Sequence, residues 1–305
     1  MKPATLIIVF FCLLIRLLPS HGAAAAEPVF FGKGFLAMPS LSLAVEDRQG
    51  ELIRFDPNRF WSAGAGASYG NLAAAISLPV GDPVDDTARD GETSHFDLQV
   101  QWYEQHLGVE FLLQSYEGYF VRDLPAGCRR GEPCSLRPDR RVGHLGVVGY
   151  YILDPRWSMR AAFNPPEHQA ESSGSWFMNA GINYYDVAAD GALIDDSTPA
   201  IADGRFYLAS LAPGYGATWK WGNWFLAGAA YFGGGVMFAD PAGAERQSDG
   251  WGWAVKAGLK CGAGYAGRRW LAGFRALADA SFVPLAETEY HWLAQSVEIY
   301  LGRSF

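Results

Sequence analysis

Charge is scarce in this 305-residue chain. Aspartate, glutamate, lysine and arginine make up 18% of it, against roughly 25% in an ordinary soluble domain. The net charge of -8 argues against a nucleic-acid partner, which needs a basic surface. Cysteine is rare, with four in all. No phosphate-binding glycine loop, zinc-ligand spacing or nucleophile elbow occurs, so no metal and no cofactor is expected. Long uncharged runs are also missing beyond the N-terminus. The longest, 221–239, has nineteen residues but five glycines, and its neighbours alternate with period two, so it does not read as a membrane helix.

Glycine and aromatic residues are plentiful instead, with 36 glycines and 14% aromatics. An apolar content of 50% excludes a disordered chain. Much glycine, many aromatics and little charge suit a chain of many strands with an apolar exterior. The N-terminus reads as an export signal. Lys2 precedes an apolar run from Thr5 to Leu18, interrupted by Arg16 and followed by small residues to Ala26. Cleavage after Ala26 is expected, giving a signal peptide at 1–26. Cys12 lies inside the apolar run and does not suit lipid attachment. In an exported chain, Cys128 and Cys134 in the polar stretch CRRGEPC favour a local disulfide. Cys261 sits in an apolar pattern and reads as a small hydrophobe.

Alternation is the dominant signal. In 94–103, Phe96, Leu98, Val100 and Trp102 share one face, while His95, Asp97, Gln99 and Gln101 share the other. Segments 61–69, 251–264 and 269–283 behave alike. Their polar faces hold glycine, serine and charge, as in a wet lumen. Aromatics mark the ends of their apolar faces: Trp61 and Tyr69, Trp270 and Phe282. That is the girdle pattern of a membrane barrel. The chain ends as a strand with a terminal Phe305, a form that resembles the signal read by the bacterial outer-membrane insertion machinery. That machinery is therefore an expected partner.

The pattern predicts an all-β fold: an antiparallel transmembrane β-barrel of about twelve strands in the bacterial outer membrane. The expected strands are 41–48, 60–69, 72–79, 94–103, 107–121, 141–153, 174–186, 205–219, 223–237, 251–264, 269–283 and 289–303. Residues 27–40 are expected to form an N-terminal periplasmic segment, and 41–305 the barrel. Connections at 70–71, 104–106, 220–222 and 264–268 are short and thus periplasmic. Those at 80–93, 122–140, 187–204 and 238–250 are long, polar and thus extracellular. One connection breaks the rule. Residues 154–173 should form a short periplasmic turn but make a long insertion, which is either a further strand or a segment folded into the lumen.

At this segment the chain resembles a known family. The residues that carry the resemblance are Tyr150 to Pro155, Ser158 to Phe163, Glu167, Gln169 and Ser172 to Trp176, with Phe55 to Asn58 and Pro213 to Tyr215. They look like domain-of-unknown-function family 4421, exported bacterial proteins thought to be outer-membrane barrels. The resemblance spans roughly 40–305. It implies the fold and supplies no activity. Glu171 stands where many members would have a lysine, which argues against a cationic site there.

Three constellations are candidates for function. The lumen is expected to receive Glu46, His95, Asp97, Glu110, His144, Lys256, Lys260, Arg275, Asp279 and Glu298. As selectivity residues, Asp97, Glu110, Lys256, Lys260, Arg275, Asp279 and Glu298 would serve a pore; as internal ion pairs they would close the barrel. His168 with Ser172, Ser173 or Ser175 has the residue types of a lipid-modifying hydrolase. Their spacing differs from the two-residue His–Ser step of outer-membrane phospholipases. Loop arginines such as Arg122, Arg129 and Arg130 suit lipopolysaccharide phosphates, so outer-membrane lipids are expected partners. Acidic loops holding Asp82, Asp85, Asp86 and Asp90, or Asp190, Asp195, Asp196 and Asp203, lack calcium-loop spacing. Passage or binding of a small solute is the leading expectation. A hydrolase and a closed structural barrel are the alternatives.

Overall fold

The computed structural model describes residues 30–46, 50, 52–81, 83, 86–124, 128–163, 167, 169–188, 204–241, 250–285 and 288–305. The expected signal peptide, His168 and the acidic residues Asp82, Asp85, Asp190, Asp195, Asp196 and Asp203 lie outside the described residues.

Thirteen antiparallel strands follow one another: β1 (Phe30–Glu46), β2 (Leu52–Asp56), β3 (Ser62–Tyr69), β4 (Leu72–Pro79), β5 (Ser94–Tyr103), β6 (Leu107–Val121), β7 (Leu136–Ile152), β8 (Ser173–Ala188), β9 (Gly204–Trp221), β10 (Trp224–Pro241), β11 (Gly250–Ala266), β12 (Trp270–Leu285) and β13 (Thr288–Ser304). Among the described residues two short α-helices interrupt them, α1 (Thr87–Asp90) and α2 (Met159–Phe163), besides a 3-10 turn at Pro133–Ser135. Consecutive strands pair, except that β2 and β3 both pair with β1, and β13 returns to β1 from Phe31↔Ser304 to Glu46↔Glu289. The sheet is therefore a closed barrel. Closure satisfies backbone groups that hydrocarbon could not.

Side chains alternate as the sequence dictates. On β11, Trp251, Trp253, Val255 and Leu259 point outward and are exposed, while Lys256 points inward and is buried. The outer face carries Leu211, Ile182, Phe232 and Ile299 in its middle, with Trp176, Trp219, Trp221, Trp224 and Trp270 toward one end. An exterior of this kind is stable only in lipid, and the protein is an outer-membrane β-barrel. Both ends of the described wall, Phe30 and Phe305, meet at the aromatic-rich end, where Phe305 N donates to Phe30 O at 2.9 Å. That end also holds the tight turns. Gly70 and Gly222 adopt φ of 55° and 58° in two-residue hairpins, which glycine permits at little cost. It is thus the periplasmic end.

Two expected boundaries need correction. Residues 30–40, expected to be a periplasmic segment, are wall: β1 begins at Phe30. The sequence pattern is masked there because small Gly32 and Gly34 occupy the outward face and Pro39 sits among the inward positions. Glu46, expected in the lumen, lies on the outer face, because Leu41, Leu43 and Val45 take the inner phase of the same strand. The first downstroke, the second span of the wall, is also not continuous. It divides into β2 and β3, separated by 57–61.

That division changes the ring. β3, β4 and β5 are short, and above them β2 pairs directly with β6 through Phe55↔Val121 and Asp56↔Phe120. Twelve strands therefore close the periplasmic half, and ten close the extracellular end. β6 changes partner at Gly118, which has φ 89° and where a Cβ would overlap the Glu92 carbonyl oxygen. Thr93 knits the corner: its hydroxyl donates to Gly118 O at 2.6 Å and accepts from Asn58 N at 2.8 Å. Across the β2–β6 seam, Arg122 N donates to Arg54 O at 2.8 Å, and Arg122 pairs with the Asp56 carboxylate.

Candidate functional site: a sealed polar chamber in the lumen

The lumen is layered. At the extracellular end the inward residues of ten strands pack into an apolar layer that includes Leu41, Phe55, Tyr119, Phe206, Met237 and Trp292. Trp292 stacks on Tyr185 with ring centroids 4.3 Å apart, and Phe206 meets Trp292 edge-on at 5.4 Å. This layer belongs to the wall itself.

At the periplasmic end the seal is the segment between β7 and β8. It folds into the mouth and carries α2 against the inner faces of β9 to β11. Trp157 is fully buried there, stacks on Phe177 at 6.0 Å, and donates from Nε1 to Thr218 Oγ1 at 3.1 Å. Gly216 leaves the space the indole fills: a Cβ at that position would overlap the ring. Arg160 reaches across the mouth to the β3–β4 turn, binding Gly70 O and, at 3.3 Å, Asn71 Oδ1. The segment starts with an exposed pair, in which hydrogen bonds from Arg156 hold the Asp154 carboxyl down to about 2.

The serines proposed for hydrolysis are occupied in holding this segment. Ser172 Oγ accepts from Lys220 N at 2.9 Å. Ser173 Oγ donates to Arg156 O at 3.0 Å and accepts from Gln169 at 2.8 Å. Ser175 Oγ accepts from Asp154 N and donates to Trp176 O, both at 2.8 Å.

Between the seals lies a polar chamber with a cavity of about 100 Å³. All seven proposed lumenal residues, Asp97, Glu110, Lys256, Lys260, Arg275, Asp279 and Glu298, line it. They are paired. Lys260 Nζ donates to both Glu110 oxygens at 2.7 and 2.9 Å. Glu110 also accepts from Tyr103 and, at 3.0 Å, from Tyr150. Lys256 and Tyr231 both donate to Asp279. Glu298 accepts from Arg275 and Lys33, each at 2.6 Å. Arg275 also donates to Phe163 O of α2 at 3.2 Å, tying the chamber to its periplasmic seal.

Asp97 differs from the other three acids. It accepts from Gln114 at 2.6 Å and Tyr116 at 3.0 Å. The basic ring nearest to it is that of His95, whose Nε2 lies 4.0 Å from the Asp97 carboxylate and 2.7 Å from Ser62 Oγ. Ser62 is fully buried, so this Ser–His pair has no face open to a substrate. His144 completes a chain, with Nδ1 2.9 Å from Gln114 Oε1 and Nε2 3.0 Å from Asn183 Oδ1.

Sequence reasoning missed Lys33, Ser62, Gln114 and the lumenal tyrosines. Lys33 falls in the segment not read as a strand. The tyrosines Tyr103, Tyr150 and Tyr231 resemble girdle residues by type. Their phase is the available signal, since Tyr150 shares its face with His144. Cys128 and Cys134 are joined at 2.00 Å in the extracellular β6–β7 connection. In the same connection Arg130 Nε donates to the buried Asp90 of α1 at 2.8 Å, joining the basic loop to the acidic one.

The sequence profile of a domain of unknown function, DUF4421, matches residues 27–303. The chain belongs to the DUF4421 family. No curated protein matches it in sequence. Among solved structures it is similar to the translocator domain of autotransporter NalP from Neisseria meningitidis, with 15% identity, a TM-score of 0.38, and coverage of 99% of this chain and 96% of that one. The beta domain of the Bordetella autotransporter BrkA gives 11%, 0.39, 92% and 100%. The outer membrane protease OmpT from Escherichia coli gives 7%, 0.34, 92% and 99%. These likenesses assign no activity to this DUF4421 member.

Proposed function

We propose that this outer-membrane barrel binds a small polar solute in its lumen and does not pass it across the membrane. The supporting observation is the inequality of the two seals. The extracellular seal is built from side chains of ten wall strands, so opening it means dismantling the barrel's own packing. The periplasmic seal is one segment, anchored at its two ends, with a fully buried Trp157 and a handful of polar contacts. Release of this weaker seal would connect the chamber with the periplasm. Passage would require both seals to yield. Hydrolysis at Ser172, Ser173 or Ser175 would require those hydroxyls to leave their structural partners.

Cysteine labelling tests this. Ser296 lines the chamber. In a Cys261→Ser background, a Ser296→Cys protein should react with a small membrane-impermeant thiol reagent only when the periplasmic side is exposed. The wild-type protein in a planar bilayer should give no discrete conductance steps. Labelling of intact cells from outside, or stepwise conductance, would overturn the proposal.

A further inference from the structure

The chamber is neutral as a whole and polarised within. Its lining carries Lys256, Lys260, Arg275, Asp97, Glu110, Asp279 and Glu298, and Lys33, beside Arg275 in an adjoining pocket, adds a fourth cation through Glu298. Lys260 cancels Glu110, and Lys256 cancels Asp279. The remaining groups do not cancel locally. Lys33 and Arg275 share the single carboxylate of Glu298, leaving one positive charge in excess. Asp97 has two neutral hydrogen-bond donors and no lysine or arginine partner among the described residues, leaving one negative charge. Around the ring β12, which carries Arg275, and β5, which carries Asp97, are separated by β13, β1, β3 and β4, nearly half of the twelve strands. Both Arg275 and Asp97 line the same cavity.

A second observation marks the positive pole. Arg275 is 8% exposed, and its Nε–H has no acceptor among the described residues. A buried guanidinium with an unused donor costs stability unless something accepts from it.

We infer that the chamber is a binding site for a small zwitterion, with its anionic group held by Arg275 and Lys33 and its cationic group by Asp97. This rests on the reading of the lumen as a chamber reached from the periplasm. A zwitterion satisfies both poles while leaving the chamber neutral. A simple anion or cation satisfies one pole and leaves the other uncompensated in a low-dielectric interior. A cavity of about 100 Å³ suits a small ligand, and the smallest amino acid is the simplest zwitterion to try. Arg275 also holds the Phe163 carbonyl. A ligand carboxylate therefore competes with α2 for the same guanidinium, which couples occupancy to loosening of the periplasmic seal.

The test is calorimetric titration of the refolded full chain in detergent with glycine, acetate and methylammonium. Glycine should bind at least tenfold more tightly than either single-charge compound. Asp97→Asn should reduce glycine affinity to that of acetate and leave acetate unchanged. Lys33→Met, the second variant, should reduce it to that of methylammonium. Folding of each protein is checked by its heat-dependent gel migration. Acetate binding as tightly as glycine, in both wild type and Asp97→Asn, would make the site a plain anion site and overturn the inference. So would silence from all three compounds in a protein whose Ser296→Cys form is labelled from the periplasmic side, and in that case the reachable chamber survives. Absence of labelling as well would remove both readings.

Discussion

At the scale of single residues, the lumen shows how a barrel tolerates buried charge. Lys260 and Glu110 are both largely buried and bound at 2.7 Å, with Tyr150 within 3.1 Å of the lysine. Such a pair adds little net stability, because desolvation offsets attraction. Removing one partner is different. Lys260→Met should destabilise the folded barrel by about 3–5 kcal/mol, since Glu110 is left charged and buried. The double variant Lys260→Met/Glu110→Gln should recover most of that loss. Urea unfolding in detergent, read as a double-mutant cycle, measures it, and additive losses would show that the two groups do not act as a pair. The charges were legible in the sequence by alternation. Their pairing was not, because partners such as Lys33 and Glu298 stand 265 positions apart and meet only where β13 closes on β1.

At the scale of elements, the β7–β8 segment stands apart from the wall. Its length marks it in the sequence, where a periplasmic turn of two or three residues is the rule. Its place could not be read there, because a short apolar stretch such as Trp157 to Phe163 suits a strand or a helix equally. The deciding contacts are tertiary: the space above Gly216 for the indole, and the Thr218 hydroxyl for its N–H. No wall hydrogen bond of the ladder depends on the segment. Replacing 154–172 by a short turn should therefore leave a folded, heat-modifiable barrel. The shortened protein should also stay silent in planar bilayers, because the extracellular apolar layer remains. Conductance steps after the excision would show that this layer is not a seal. The split of one downstroke into β2 and β3 is likewise a tertiary outcome. Phe55 alternates well enough to be a strand residue, but only the shortness of β3, β4 and β5 lets β2 reach β6.

At the scale of the whole molecule, closure dominates. A ring with no free edge should stay compact in cold dodecyl sulfate and migrate faster on a gel than the boiled chain; identical migration before and after boiling would contradict the closed sheet. The sequence by itself determined most of the strands from β3 onward with their two faces, the membrane-facing exterior and the odd segment out. Each of these follows from side-chain period, and period is a local property of the chain. The tertiary structure alone decided that the ring narrows from twelve strands to ten, that apolar side chains seal the extracellular end, that α2 closes the other, and that among the described residues Asp97 is left without the cation its fellow acids have. Those outcomes depend on which strands lie opposite one another across the lumen, and opposition is set by closure and register, to which no short stretch of sequence has access.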